Sequence, residues 1–198
     1  MYVSLQFTRR ITALATAILA VLVLAGCGGT YHVTTEVEDD GTTVVTMDNN
    51  EITVEGAMKF HAESLEGNYT IEKQLFVDLR KTQREGEGPA YAFLVKYIGL
   101  RYLKIEKGRS LELIVDQRSH FFSGEGEVRR QMDPSGESFT ESVDYPVDPD
   151  FLVRLSEAES IGVVVNGHDG EITGYFDADN ITNLRRFVTD HVPPINPD

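Results

Sequence analysis

The sequence predicts an α+β domain in which a mainly antiparallel, sandwich-like β-sheet is joined by two short helices near the C-terminus. Two observations point to the sheet and one to the helices. From Tyr31 to about Met132 apolar and polar residues alternate in short runs. These runs are separated by Asp, Asn and Gly, the pattern of hairpins with one buried and one wet face. Beyond Tyr145 the apolar spacing lengthens to three and four, which is helical.

Taken in order, YHVTTEVE runs into Asp39-Asp40-Gly41, TTVVTM into Asp48-Asn49-Asn50, and EITVEG into AMKFHAES. In the last of these Met58, Phe60 and Ala62 share one strand face, and Lys59, His61 and Glu63 share the other. NYTIEKQLFVDLRK continues the alternation up to a surface loop at Glu85-Gly86-Glu87-Gly88-Pro89. The most hydrophobic block, AYAFLVKYIGLRYLKIEKGRSLELIVD, reads as two or three central strands with breaks near Gly99 and Lys107-Gly108. SHFFSGEGEVRRQM is a further strand whose Gly124 and Gly126 mark a bulge or a tight turn.

Asp148 before Pro149 is a helix cap followed by proline at the first helical position, with Phe151, Leu152, Leu155 and Ala158 on one face, so a helix is expected over about 150–159. IGVVVNG and EITGYFD form a hairpin across Gly167-His168-Asp169-Gly170. Asp177 or Asp179 caps a last helix in which Ile181, Leu184, Phe187, Val188 and His191 line one side, and Pro193-Pro194 ends it. His191 reads as a cation favoured by the helix carboxyl end.

The N-terminus has a different texture. Arg9 and Arg10 precede ITALATAILAVLVLA, a charge-free run from Ile11 to Ala25. As a helix this run spans only about 22 Å, short of the roughly 30 Å of bilayer hydrocarbon, so a signal peptide is a better reading than a permanent span. It ends in Leu24-Ala25-Gly26-Cys27, and Cys27 is the only cysteine. That string resembles the lipobox of bacterial lipoproteins. The resemblance implies cleavage before Cys27 and acylation (diacylglyceryl and palmitate-type chains) of its thiol and new amino terminus. With Gly28 rather than aspartate after the cysteine, it also implies the outer membrane, facing the periplasm or the cell surface. The expected organisation is a signal peptide over 1–26, a lipidated tether or peripheral β-meander over 27–55, and one α+β domain over 56–198.

Within 90–192, Tyr97-Ile98-Gly99, SLELIVD at 110–116, ESVDYPV at 141–147, NGHDG at 166–170 and LRRF at 184–187 resemble a set of functionally uncharacterised bacterial exported domains. These motifs are structural punctuation, so the resemblance implies a fold and supplies no activity.

The 198 residues carry 32 acidic and 18 basic side chains, a net charge of −14 that repels nucleic acid. Its distribution is uneven, at −9 over residues 27–72, +4 over 73–130 and −11 over 131–198. The basic block suggests either cross-strand neutralisation or a partner-binding face built from Lys73, Arg80, Lys81, Arg84, Arg101, Lys104, Lys107 and Arg109. Such a face would meet an acidic envelope protein or an anionic glycan.

Catalytic strings are missing: no Gly-x-Ser-x-Gly elbow, no His-Glu-x-x-His and no phosphate-binding Gly-x-x-x-x-Gly-Lys-Ser/Thr loop occurs. His168 beside Asp169 is the one histidine in a polar turn, a setting in which a solvated side chain is commoner than a base. Asp148, Asp150, Asp177 and Asp179 are weak candidates for calcium, because capping explains acids at helix starts without a metal. The expectation is therefore a lipid-anchored envelope protein with a binding or structural role, needing no cofactor. A carboxylate-based hydrolase or calcium-dependent enzyme is the alternative.

Overall fold

The computed structural model describes residues 31–55, 60–64, 67–71 and 73–194. The segment read as a signal peptide and the Leu24-Ala25-Gly26-Cys27 string lie outside these residues. So does the face expected for Met58, Phe60 and Ala62, whose side chains are not among those described. The elements run β1 (His32–Val37), β2 (Thr43–Asp48), β3 (Glu51–Val54), β4 (Phe60–Ser64), β5 (Gly67–Ile71), β6 (Gln74–Gln83), β7 (Ala90–Gly99), β8 (Gly108–Val115), β9 (Arg118–Met132), β10 (Phe139–Val147), α1 (Pro149–Ser156), β11 (Ile161–Gly167), β12 (Gly170–Tyr175) and α2 (Ala178–His191).

Eight of these strands close into a barrel in the order β3-β6-β7-β10-β9-β8-β11-β12, with β12 returning to β3, and every neighbouring pair is antiparallel. The expected sandwich-like sheet is corrected to this barrel. Alternation shows that one face of each strand is buried, but it does not show whether the buried faces meet as two sheets or as one sheet rolled on itself. Closure rests on the four residues of β3, which pair β6 through Glu51 and Ile52 and β12 through Thr53 and Val54. The placement of the helices is also corrected, since α1 lies between β10 and β11 and only α2 is near the C-terminus.

β2 and β3 are halves of one bent strand, both pairing the same edge of β6. The bend falls at Asn49, whose φ of 62° is a left-handed conformation that asparagine tolerates better than most residues. β2 therefore leaves the barrel wall and carries β1 with it as a flanking hairpin. Both fall in the segment read as a tether or peripheral meander, while β3 of the same segment completes the ring. β8, β9 and β10 follow one another by hairpins and β11 returns through α1 to lie beside β8, which is a Greek key. Between Ser142↔Arg129 and Asp144↔Glu125 three residues of β9 oppose one of β10, and Gly126 supplies the positive φ of 75° within this bulge.

Side chains fill the barrel interior. Leu75, Val77, Phe93, Val95, Val143 and Tyr145 are all at most 1% exposed. The Tyr145 hydroxyl is matched by Ser110 Oγ at 2.8 Å.

Both helices follow strands that finish at the same barrel end, and they cap it. Asp148 starts α1 by accepting the Asp150 N–H, and Asp177 starts α2 in a reciprocal box with Asn180. Leu152, Leu155, Leu184 and Phe187 pack into the core from these helices. His191 packs against Phe187 with the ring planes tilted by 51° and the centroids 4.9 Å apart, and burial lowers its pKa. Burial thus opposes the positive charge that the helix carboxyl end favours on this last-turn histidine.

Candidate functional site

The opposite barrel end is closed by residues 100–107, a strap between β7 and β8. Leu103 and Ile105 turn inward as its plug, 7% and 0% exposed, so Lys104 between them is forced outward. Its φ of 56° is left-handed, a costly conformation for lysine that persists where neighbours over-determine it.

The neighbours are Glu141 of β10 and the β11–β12 turn. Glu141 has no exposed surface and accepts the backbone N–H of Lys104 at 2.8 Å and of Ile105 at 3.2 Å. It also takes Arg130 Nε at 2.7 Å, while the same guanidinium donates to the Ile105 carbonyl. From the other side, the N–H groups of His168 and Asp169 donate to the carbonyls of Lys104 and Leu103. A Cβ on Gly167 would overlap the Leu103 carbonyl oxygen, so the close approach of turn and strap demands glycine there.

This anchorage presents a charged surface. Lys104 Nζ lies 2.8 Å from Asp169 and holds that carboxyl below its usual pKa, and His168 Nδ1 lies 3.8 Å from Glu106. Tyr102, Lys104, Glu106, Arg130 and His168 surround a hollow of about 380 Å³, and a second, of about 410 Å³, adjoins it through Glu106 and Arg130. Both hollows open widely to solvent. Their groups suit recognition of a charged partner, with Arg130 and Lys104 fixed by backbone contacts.

The eight basic residues named from the sequence separate in space. Lys73 precedes β6 at the strap end, Arg101, Lys104 and Lys107 belong to the strap, and Arg109 near the start of β8 lies over the Phe121 ring at 4.3 Å. Lys81 and Arg84 lie at the helix end, where Arg84 faces Asp40 at 3.4 Å and Glu87 at 4.0 Å. Arg80 sits on the outer wall, 2.9 Å from an Asp144 that also holds Arg129 at 2.7 Å.

The four aspartates occupy helix starts: Asp148 and Asp177 are the caps, and Asp150 and Asp179 lie in the first turns. Among the described residues no three His, Cys, Asp or Glu side chains come together as a metal-holding group. Sequence reasoning missed Arg130 and Glu141. A signal for Glu141 was present, because it lies in phase with Val143, Tyr145 and Val147 as a charge on the buried face of a strand.

Compared with protein-family models, curated proteins and solved structures, the chain has no significant match.

Proposed function

We propose that this chain is a lipid-anchored protein of the bacterial cell envelope, attached through Cys27 at the outer membrane, that works by binding and not by catalysis. Its partner surface is the strap end of the barrel, and its partner an acidic envelope protein or an anionic glycan. The observation that carries this reading is the strap itself. A barrel filled with side chains has no room for an internal ligand, and the strap that carries Lys104 also carries Arg101 and Lys107, neither of which has a carboxylate within 4.0 Å among the described residues.

The anchor fits the same arrangement. Only residues 28–30 separate Cys27 from Tyr31, a reach of about 14 Å for four fully extended steps. The Tyr31 ring is held under the Arg186 guanidinium of α2 at 4.3 Å. A lipid on Cys27 then keeps the α2 side near the membrane and leaves the strap, at the other end of the barrel, free for a partner.

Two measurements test the reading separately. Cells fed a labelled fatty acid should label the full chain and not Cys27→Ser; equal labelling of both, or of neither, removes the anchor. The detergent-solubilised full chain should be retained on an immobilised sulfated glycan in a salt-dependent manner. An Arg101→Glu/Lys107→Glu variant should elute at clearly lower salt. Equal elution would show that the strap is not the binding face.

A further inference from the structure

At the helix end of the barrel a third hollow of about 500 Å³ lies between α1 and the β8–β9 turn. From this hollow and its rim we infer a binding site for a small amphipathic carboxylate, an acid carried on an aryl or short acyl body. This goes beyond the partner surface proposed above, since it lies at the other end of the molecule and takes a different class of ligand.

The floor is apolar. Phe151 and Leu155 of α1, 7% and 0% exposed, join Val115 at the end of β8. The His120 imidazole stands edge-on to Phe151 at 4.9 Å, and Phe151 contacts Phe122, which in turn contacts Phe93 of the interior. The floor is thus the outer end of an aromatic chain rooted in the core and cannot readily shift. The hollow pairs this apolar floor of Val115, Phe151 and Leu155 with a charged rim of Asp116, Arg118, Arg154 and Glu157, so a ligand that fits it has an apolar body and a charged head.

The rim supplies the charge selection. Arg118 and Arg154 line the hollow, and Arg154 lies over the Phe151 ring at 5.7 Å. Among the described residues neither guanidinium has a carboxylate within 4.0 Å, a state they share with Arg101, Arg109 and Arg185, but only these two line one hollow together. Of the two acids on the rim, Asp116 is already engaged, accepting the N–H groups of Glu159 and Ser160 through Oδ1 at 3.0 Å. Glu157 also lies farther than 4.0 Å from both guanidinium groups, so the two acids and two arginines of the rim balance in formal charge without pairing. In a chain of net charge −14, two guanidinium groups without acid partners beside an apolar floor favour an anion with an apolar body.

Arg118 is held there by the backbone. Asp116 and Gln117 both adopt positive φ, 46° and 69°, the two-residue hairpin turn that usually employs Asn-Gly. The Asp116 side chain locks this turn to the loop before β11.

The test uses the full chain in phosphatidylcholine nanodiscs, with 3-phenylpropionate as probe and calorimetry as readout. Saturable one-to-one binding is expected. It should weaken about tenfold or more with 3-phenylpropanamide, which keeps the body and removes the charge, and by a similar factor in Arg118→Gln/Arg154→Gln. Arg129→Gln, on the outer wall, should bind like the parent. Both rim arginines are exposed, so the double variant is expected to melt like the parent; should it not, the single Arg118→Gln variant carries the same comparison. No saturation up to about 10 mM, equal affinity for the amide, or undiminished binding by folded rim variants would each overturn the site.

Discussion

Arg130 and Glu141 face each other in register across β9 and β10, joined at 2.7 Å, with Glu141 entirely buried and Arg130 41% exposed. The carboxylate is thereby the shared anchor of a guanidinium and two strap amides. Glu141→Ala would leave those donors without an acceptor and a guanidinium without its partner. A loss of about 3–5 kcal/mol is expected in urea unfolding, with faster hydrogen exchange across residues 100–107. Arg130→Ala should cost less, because two backbone N–H groups still serve the carboxylate. Equal, small effects of both substitutions would show that the strap is held by its plug residues alone.

Elements whose signals are local were legible in the sequence. The Gly126 bulge, the Asp148 and Asp177 caps and the β11–β12 hairpin all follow from a few adjacent residues. Barrel closure depends on four residues of β3 meeting strands far along the chain, and no local pattern encodes that meeting. The basic block divides for a related reason. β6 runs from the strap end to the helix end, so Lys73 and Arg84, near in sequence, are carried to opposite ends of the barrel. Glu141 could have been found, because a charge in phase with apolar neighbours must find donors inside the fold.

Asp78 provides a pH-dependent test of the β2–β3 bend. It is 6% exposed, accepts the Asn50 N–H at 2.8 Å, and burial pushes its pKa up to about 6 from 3.8. Lys96 of β7 opposes this shift and Asp48 of β2 adds to it. Because the folded state holds this proton more tightly than the unfolded chain, its contribution to stability is full below about pH 4 and is lost as pH rises through 6. Stability measured from pH 4 to 7.5 should fall relative to Asp78→Asn by about 2–3 kcal/mol. A difference that does not vary with pH would mean that Asp78 is solvated.

The aspartates at the helix starts are expected to behave as caps. Asp177→Ala should cost about 1–2 kcal/mol through loss of the box with Asn180, and millimolar calcium should leave the melting temperature nearly unchanged. A ligand at one hundred times its Kd would add about 2.7 kcal/mol, so a rise of several degrees would reveal a calcium site among these acids.

The last prediction concerns α2, which spans 14 residues and would be marginal as an isolated helix. Its order comes from packing: Leu184 and Phe187 are 1% and 0% exposed, and Asn180 Nδ2 bonds both Asn50 Oδ1 and the Glu51 carbonyl at 3.0 Å. At the other end of the helix the Tyr91 hydroxyl donates to the His191 carbonyl, so α2 is tied to the barrel at both termini. Phe187→Ala should cost about 3–5 kcal/mol from lost burial and the cavity left behind, a large share of a typical 5–15 kcal/mol. Removing residues 179–198 would expose the apolar surface under the helix and strip Asn50 of a partner beside the stave that closes the ring. The truncated chain should be protease-sensitive or aggregate. If it instead melts cooperatively at the parent temperature, the barrel closes without α2, and the apolar stripe of the helix becomes available to bind a partner.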